Sequence, residues 1–257
     1  MQLTFLGTGT SQGVPMIGCD CEVCKSSDPR DSRMRCSVLL EDENTKALID
    51  TPPEFRLQAI RENLKTLDAV VITHAHADHI MGFDDLRRFC EMSGKTMPVY
   101  GTKEALERLT QIFYYAFDDS EKCKGYLRAV AHEITGKFQI GNIEFTPLPL
   151  PHGAWTSLGF VFSKNSEKRC AYLNDCKSVP DEILQQLENI PVLIIDGLRD
   201  KPHPTHMTVA EAIAVSQKTH AQKTYITHLT HEKLHIAREK ELPKNCFLSY
   251  DGLELVL

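Results

Sequence analysis

The sequence predicts a mixed α/β protein in which two β-sheets pack together and helices cover the outer faces. Short runs of β-type residues recur along the whole chain, and segments with helical periodicity lie between them. The strand-like runs mostly come in pairs before each helix, without strict alternation of one strand with one helix. We therefore expect two sheets that are rich in antiparallel pairs.

The predicted elements are short and follow one another along the chain. The predicted strands span residues 3–6, 37–41, 46–50, 69–73, 98–100, 143–150, 158–162, 170–174, 192–196 and 223–227. Two further strands are expected near the C-terminus. The predicted helices span residues 54–64, 80–92, 103–113, 181–188 and 209–219.

One helix start is specified in detail by the sequence. Thr208 is followed three residues later by Glu211, which is the capping-box pattern, and Met207 and Ala212 occupy the flanking hydrophobic positions. His206 therefore lies immediately before a helix whose first turn is fixed.

Length and charge limit the class of protein. With 257 residues and 42% apolar content, the chain is near the upper size for one hydrophobic core, so we expect a single domain over residues 1–257. The net charge of −6 gives no general basic surface, and extended nucleic acid is not expected as a partner. A phosphate substrate remains compatible with this charge, because two divalent cations would dominate the local field.

The sequence contains no recognisable targeting signal. Residues 1–6 alternate like a strand and lack the basic region and apolar run of a signal peptide. No segment approaches the roughly 18 apolar residues of a membrane helix, so no membrane partner is expected. Nine cysteines in such a chain indicate reduced thiols and metal ligands before disulfides. We expect a cytoplasmic protein.

Four metal-capable side chains lie within six residues, directly after a predicted strand. His74 and His76 are two residues apart, so at the end of an extended segment both imidazoles point to the same side and can bind one cation. Asp78 and His79 follow where the backbone turns, and they can face a second cation. This order predicts a two-metal site rather than a solvated polar turn.

Three more candidate ligands, His152, Asp175 and His228, stand where predicted strands give way to loops. Side chains at strand ends can converge on one rim of a sheet sandwich. Any one of them alone is more often an ordinary surface or core residue. Together with the earlier cluster, they complete a dinuclear hydrolase site.

A second metal-capable cluster lies near the N-terminus, in the loop 19–24. Cys19, Cys21 and Cys24 place three thiols in six residues, a tighter spacing than that of common zinc fingers. A structural zinc needs a fourth ligand, and His231 could supply it and tie this loop to the rim. Three free thiols are the alternative.

These residues give the chain a resemblance to the metallo-β-lactamase superfamily, whose hallmark H-x-H-x-D-H is intact in this sequence. The resemblance implies an αββα sandwich of two mixed β-sheets with helices on the outer faces. It also implies that Asp50 orients a ligand, although an Asx turn explains an aspartate at that strand end equally well. The implied ligand sets are His74, His76 and His152 for one metal and Asp78, His79 and His228 for the other, with Asp175 bridging them.

The cysteine loop narrows the resemblance to the PhnP-type phosphodiesterases of bacterial phosphonate degradation. The similarity extends over almost the whole chain, from the glycine-rich segment 7–15 onwards. It implies that the cysteines and His231 bind a structural zinc and that His206 protonates the leaving group. The chain departs from the family mainly in residues 92–141 and 196–204, which border the substrate pocket in this fold.

We therefore expect a metal-dependent phosphodiesterase that acts on small phosphodiesters, including cyclic ones. Two divalent ions, Mn or Zn, would generate hydroxide and neutralise phosphate charge. His206, with an ordinary pKa of about 6.5, is suited to protonate the leaving group. The sequence leaves the oligomeric state open, and a homodimer is compatible with it.

Three alternatives remain at this point. A tRNA-processing ribonuclease shares the motif and the chemistry, but its usual Gly/Pro-rich arm is not visible in the sequence. A thioesterase or lactamase is less favoured, because Asp175 together with His206 fits phosphodiester cleavage better. A non-catalytic module that binds a nucleotide or a metal is the alternative from a different class, and the full ligand set counts against it.

Overall fold

Strands dominate the regular structure of the described residues, which are 1–118, 120 and 125–257 of the computed structural model. The strands are β1 (Gln2–Gly7), β2 (Ser37–Asp42), β3 (Thr45–Ile49), β4 (Ala69–Val71), β5 (Met97–Gly101), β6 (Ala129–Glu133), β7 (Phe138–Ile140), β8 (Ile143–His152), β9 (Trp155–Lys164), β10 (Glu167–Leu173), β11 (Val192–Asp196), β12 (Lys223–Thr227), β13 (Cys246–Leu248) and β14 (Glu254–Val256). The helices are α1 (Phe55–Arg61), α2 (Ala77–Ile80), α3 (Arg87–Ser93), α4 (Lys103–Ile112), α5 (Asp181–Gln186), α6 (Val209–Lys218) and α7 (His235–Glu239).

The strands form two mixed sheets of seven strands each within the described part of the chain. The first has the order β14-β1-β2-β3-β4-β5-β6 and the second β13-β12-β11-β10-β9-β8-β7. In each sheet three neighbouring pairs are antiparallel and three are parallel. The expectation of antiparallel-rich sheets was therefore wrong. Every parallel pair is joined by a connection that contains a helix, which returns the chain to the same end of the sheet.

The central strands of each sheet are buried on both faces. Adjacent residues of β2 show this, because Val38 packs between the two sheets whereas Leu39 packs under the helices. The layer between the sheets is rich in aromatic residues, including Phe5, Phe145 and Phe160. Each such fully buried side chain contributes about 1.5–3 kcal/mol. With separate apolar clusters under the helices of each sheet, the four layers form the predicted αββα sandwich.

The predicted helix over residues 80–92 is broken, which is a second correction. The chain forms α2, a 3-10 segment at Phe83–Leu86, and then α3. A Cβ on Gly82 would lie 2.1 Å from the carbonyl oxygen of Pro52, and the Gly82 N–H donates to the carbonyl of Thr51 at 2.9 Å. This close backbone contact stops the helix there, and apolar periodicity alone does not reveal it.

Three elements escaped the sequence prediction: β6, β7 and α7. Most side chains of β6 are exposed, since this strand forms an edge of the first sheet, so the strand shows little apolar alternation. Strand β7 has three residues and α7 has five, which is too short for a periodic signal. All three remain consistent with the predicted architecture because they extend sheet edges or cover connections.

Among the residues that the structure describes, no helix is both long enough and apolar enough to cross a lipid bilayer.

Candidate active site

The seven predicted ligands of the two-metal site come together at one edge of the sandwich, where several strands end. We call this edge the rim. His74 and His76 follow β4, Asp78 and His79 lie in α2, and the other three end or follow β8, β10 and β12. Asp175 has a φ of 52° and His228 a φ of 60°, both in the left-handed region that non-glycine residues rarely adopt. Such backbone strain is typical of residues whose position is dictated by a site.

The first group of side chains consists of His74, His76 and His152. The Nδ1 of His76 lies 2.9 Å from Nε2 of His74 and 3.3 Å from Nε2 of His152. Zn–N bonds of 2.0–2.1 Å in a tetrahedron place two nitrogens about 3.3 Å apart. The Nδ1–H of His152 donates to the carbonyl of Thr205 at 3.0 Å, which leaves Nε2 facing the group. These three nitrogens could therefore hold one cation.

The second group is made by Asp78, His79 and His228 around Asp175. Nε2 of His79 lies 3.4 Å from Asp78 and 3.3 Å from Asp175 Oδ2, and Nε2 of His228 lies 3.3 Å from Asp175 Oδ1. Asp175 Oδ2 is also 3.8 Å from Nε2 of both His74 and His152 in the first group. The Asp175 carboxylate thus stands between the two groups and could serve both.

Burial and charge set the protonation of this rim. Burial lowers the pKa of His74 well below its ordinary value, and it lowers that of His228 as well. Burial alone would raise the pKa of Asp175, but the charges of His228 and His79 outweigh it, so the pKa falls well below the usual range. The rim therefore presents an ionised Asp175 carboxylate beside neutral imidazoles at His74 and His228, which are the protonation states that bind cations. At His79 burial alone would lower the pKa, but the charges of Asp175, Asp78 and Asp50 outweigh it and raise the pKa well above its ordinary value.

Asp50 orients His79, as the family resemblance implied. The Nδ1–H of His79 donates to Asp50 Oδ2 at 2.7 Å, which presents Nε2 to the second group. Asp50 also accepts the N–H and the hydroxyl of Thr73, both at 2.8 Å. Its φ is 62°, another strained position at a strand end. A carboxylate behind a histidine fixes the tautomer and raises its strength as a ligand.

His206 lies against both groups. Its ring centroid is 4.6 Å from that of His228 and 4.9 Å from that of His152. The predicted capping box at Thr208 and Glu211 is present, so the start of α6 fixes the backbone beside His206. The predicted capping box is thus confirmed, and it lies immediately after His206 in the chain.

Asp196, at the end of β11, is a further residue of the candidate site that was not predicted from the sequence. The Nδ1–H of His206 donates to Asp196 Oδ2 at 2.6 Å. Burial lowers the pKa of His206, but the hydrogen bond and charge of Asp196 outweigh this and raise it. An acidic residue closing an apolar strand was the available signal, and it is the same signal that marked Asp50. Nδ1 is occupied by Asp196, so Nε2 of His206 is left for a substrate.

The cysteine loop converges on His231. Its Nδ1 lies 3.3, 3.2 and 3.4 Å from the sulfurs of Cys19, Cys21 and Cys24. Tetrahedral zinc with bonds of about 2.3 Å to sulfur and 2.0–2.1 Å to nitrogen separates such atoms by about 3.5 Å. A backbone hydrogen bond within the loop, with help from His231, lowers the pKa of Cys21 to about 6. These four side chains could hold one further cation.

An open cavity of about 410 Å³ adjoins the first group. His74 and His76 form its inner end, and Trp155 and the face of α4 form its walls. Trp155 is 56% exposed and lines this cavity, so it is a pocket wall and not a core residue.

The fold and this rim together are those of the metallo-β-lactamase superfamily. The sequence pattern described as "Beta-lactamase superfamily domain" matches residues 45–229, and the chain belongs to that superfamily.

Comparison with individual proteins places the chain near the PhnP branch. A crystal structure of a new diphosphatase from the PhnP family shares 39% sequence identity and a TM-score of 0.91, covering 100% of this chain and 97% of that one. The octanoyltransferase of Porphyromonas gingivalis is 34% identical over 261 residues, and the chain spans 52% of its length, about half. Human short-form tRNase Z has a TM-score of 0.71 at 18% identity over 100% of this chain and 99% of that one, which shows the shared fold alone.

Proposed function

We propose that this protein hydrolyses a small phosphodiester at a two-metal centre, with His206 protonating the leaving group. The observation that carries the proposal is the single carboxylate of Asp175 standing between two groups of imidazole and carboxylate ligands, 3.3–3.8 Å from both. A shared carboxylate of this kind is typical of two-metal sites for phosphoryl transfer chemistry.

The side chains present fit two cations. Within the described part of the chain, Nε2 of His79, Nε2 of His228 and Oδ1 of Asp175 are buried and have no hydrogen-bond partner. A buried polar atom without a hydrogen-bond partner costs about 1–3 kcal/mol, so such atoms in a folded protein indicate a functional constraint. Nitrogen and oxygen donors facing one another without hydrogen bonds indicate a place for a cation.

The role of each residue in the proposed reaction follows from its contacts. Two divalent ions, when bound, would lower the pKa of a water molecule and neutralise phosphate charge. Asp50 and the Thr205 carbonyl hold the ligands His79 and His152 in their productive tautomers. His206, kept protonated more readily by Asp196, can donate its Nε2 proton to a departing alkoxide oxygen.

The cysteine loop fits a separate, structural role. Its four ligands come from the loop 19–24 and from the segment after β12, and a backbone hydrogen bond from Leu229 to Thr8 joins the latter segment to the N-terminal part of the chain. A closed site with four protein ligands keeps no open position for a substrate, which is typical of structural zinc. This zinc would fasten the N-terminal loop next to the rim.

A diphosphate is the second candidate substrate. It is favoured by the diphosphatase of the PhnP family, which shares 39% identity with this chain over its whole length. The same two metals would serve both reactions, since a phosphoanhydride and a phosphodiester differ in the leaving group and not in the attack. The tRNA-processing reaction is less favoured, because the human enzyme shares the fold at 18% identity only.

A substrate panel tests the proposal. It comprises bis(p-nitrophenyl) phosphate, cyclic nucleotides, cyclic ribose phosphates, a nucleoside diphosphate ester, precursor tRNA and an octanoyl thioester. Hydrolysis of at least one small phosphodiester is expected. Turnover of the nucleoside diphosphate ester alone would assign the second candidate, and turnover confined to the thioester or to tRNA would contradict the proposal.

A further inference from the structure

The one tryptophan of the chain stands exposed beside the candidate metal ligands. Trp155 is 56% exposed, and its ring lies 6.0 Å from that of His76 with an interplanar angle of 78°. An indole is among the largest apolar side chains, and exposing it to water gives up the free energy of its burial. This indole also lines the cavity beside the candidate metal ligands, where the planar ring of a ligand could cover it.

The position of this ring is fixed by a tight hairpin. Trp155 begins β9 and pairs directly with His152, the last residue of β8. The turn between them contains Gly153 with a φ of 65°, and a Cβ there would lie 2.6 Å from the side chain of Thr205. His152 is itself held by the Thr205 carbonyl at 3.0 Å, so the backbone that carries the indole is tied to a fixed imidazole. A ligand stacked on Trp155 is therefore held in register with the rim.

The opposite wall of the cavity is the first two turns and a half of α4. This helix presents Glu104, Glu107, Arg108 and Gln111 to the cavity. Glu107 is paired with Lys103 at 3.9 Å, so two cations balance the two carboxylates and the wall carries little net charge. Carboxylate and amide oxygens accept hydrogen bonds from ring N–H and amino groups, and Arg108 can donate to ring nitrogens or carbonyls. The wall suits a neutral, polar-edged ring.

The size of the cavity agrees with this chemistry. Its volume of about 410 Å³ lies in the range of about 300–1,000 Å³ found for small-molecule sites. It opens at its inner end on His74 and His76. A molecule bound there would place its ring against Trp155 and its phosphate toward Asp175.

We propose that this cavity is the binding subsite for a nucleobase-like aromatic ring carried by the substrate, stacked on Trp155 with its polar edge toward α4. The proposal rests on the proposed function insofar as the phosphate end of the ligand lies at the metal rim. It defines the substrate class as a nucleotide rather than a plain sugar phosphate.

The experiment compares two ligands that share a phosphate and a ribose. Zinc-loaded protein is titrated with AMP and with ribose 5-phosphate, and the fluorescence of the single tryptophan is followed. Stacking predicts that AMP quenches the signal and that ribose 5-phosphate does not. Calorimetry should show AMP binding about 5- to 150-fold more tightly, since one stacked base contributes about 1–3 kcal/mol.

Variants provide the controls. Trp155→Ala should weaken AMP binding about 5- to 150-fold and leave ribose 5-phosphate binding unchanged, and Trp155→Phe should recover most of the loss. Tyr114→Ala removes another exposed aromatic ring, which does not line the cavity, and should bind AMP like the wild type. Equal affinity of wild type for the two ligands, or an unchanged AMP affinity in Trp155→Ala, would overturn the proposal.

The two proposals fail separately. If the substrate panel shows no phosphodiester hydrolysis while AMP still quenches Trp155, the proposed function fails and the subsite stands. If phosphodiesters are hydrolysed but AMP and ribose 5-phosphate bind alike, the subsite fails and the proposed function stands.

Discussion

Removal of the proposed general acid, His206, should slow hydrolysis only for substrates whose leaving group needs a proton. His206→Ala deletes the donor, and a positioned general acid contributes about 100- to 10,000-fold to a rate. We therefore expect a loss of this size with a cyclic nucleotide, whose leaving group is an alkoxide. With bis(p-nitrophenyl) phosphate the leaving group departs readily as an anion, and the loss should be less than about tenfold.

Asp196→Asn tests the same proton donor by changing the acceptor of its hydrogen bond. The 2.6 Å hydrogen bond from His206 to Asp196 is charge-assisted when His206 is protonated. Such a bond contributes about 1.5–3 kcal/mol, against about 0.5–1.5 kcal/mol for its neutral counterpart. The difference of about 1–1.5 kcal/mol corresponds to roughly a tenfold loss with the alkoxide substrate. The backbone N–H of Cys176 also donates to Asp196 and can still find an acceptor in asparagine.

The assay is steady-state hydrolysis of both substrates by each variant, together with its metal content. His203→Ala is the matched control, because that ring lies 5.1 Å from His206 and within hydrogen-bond reach of Thr205 rather than Asp196. The control should leave the ratio of the two activities unchanged. Equal losses on both substrates in His206→Ala would refute the leaving-group role, and loss of metal in that variant would show that His206 is a ligand.

Three further predictions concern metal affinity and stability. Asp50→Asn should weaken one of the two rim metals by about 10- to 100-fold in a chelator titration, because it removes the charged partner of His79; unchanged affinity would mean that Asp50 serves as a turn residue. Cys21→Ser should remove one tightly held zinc per chain and lower the melting temperature, while the rim still binds its metals; retention of all the metal would exclude the cysteine site. Gly82→Ala should cost about 1–3 kcal/mol in urea unfolding, since its Cβ would lie 2.1 Å from a carbonyl oxygen, whereas Gly136→Ala has nothing within 4 Å and should be neutral.

Much of the candidate site could be predicted because its residues carry a local signal. Polar, metal-capable side chains directly after apolar strands mark strand ends, and parallel strands that end together bring such side chains to one edge. The segment from His74 to His79 and the later His152, Asp175 and His228 were found in this way, and the structure brings them together. The start of α6 was equally readable, because a capping box depends only on neighbouring residues.

The errors arose where distant parts of the chain decide local structure. Gly82 interrupts a helical pattern because Pro52, far earlier in the chain, lies against it. Asp196 has the same sequence signature as Asp50, but its partner His206 is identified only when α6 returns to the rim. The balance of parallel and antiparallel pairs likewise depends on which way each helical connection crosses its sheet.

Counting metals tests the central claim, the two-metal rim bridged by Asp175, most directly. Elemental analysis of the purified protein should give three metal ions per chain, falling to one after mild chelation together with loss of phosphodiester hydrolysis. Re-addition of zinc or manganese should restore both. A protein that holds a single tightly bound zinc and hydrolyses no phosphate ester before or after metal addition would contradict the claim.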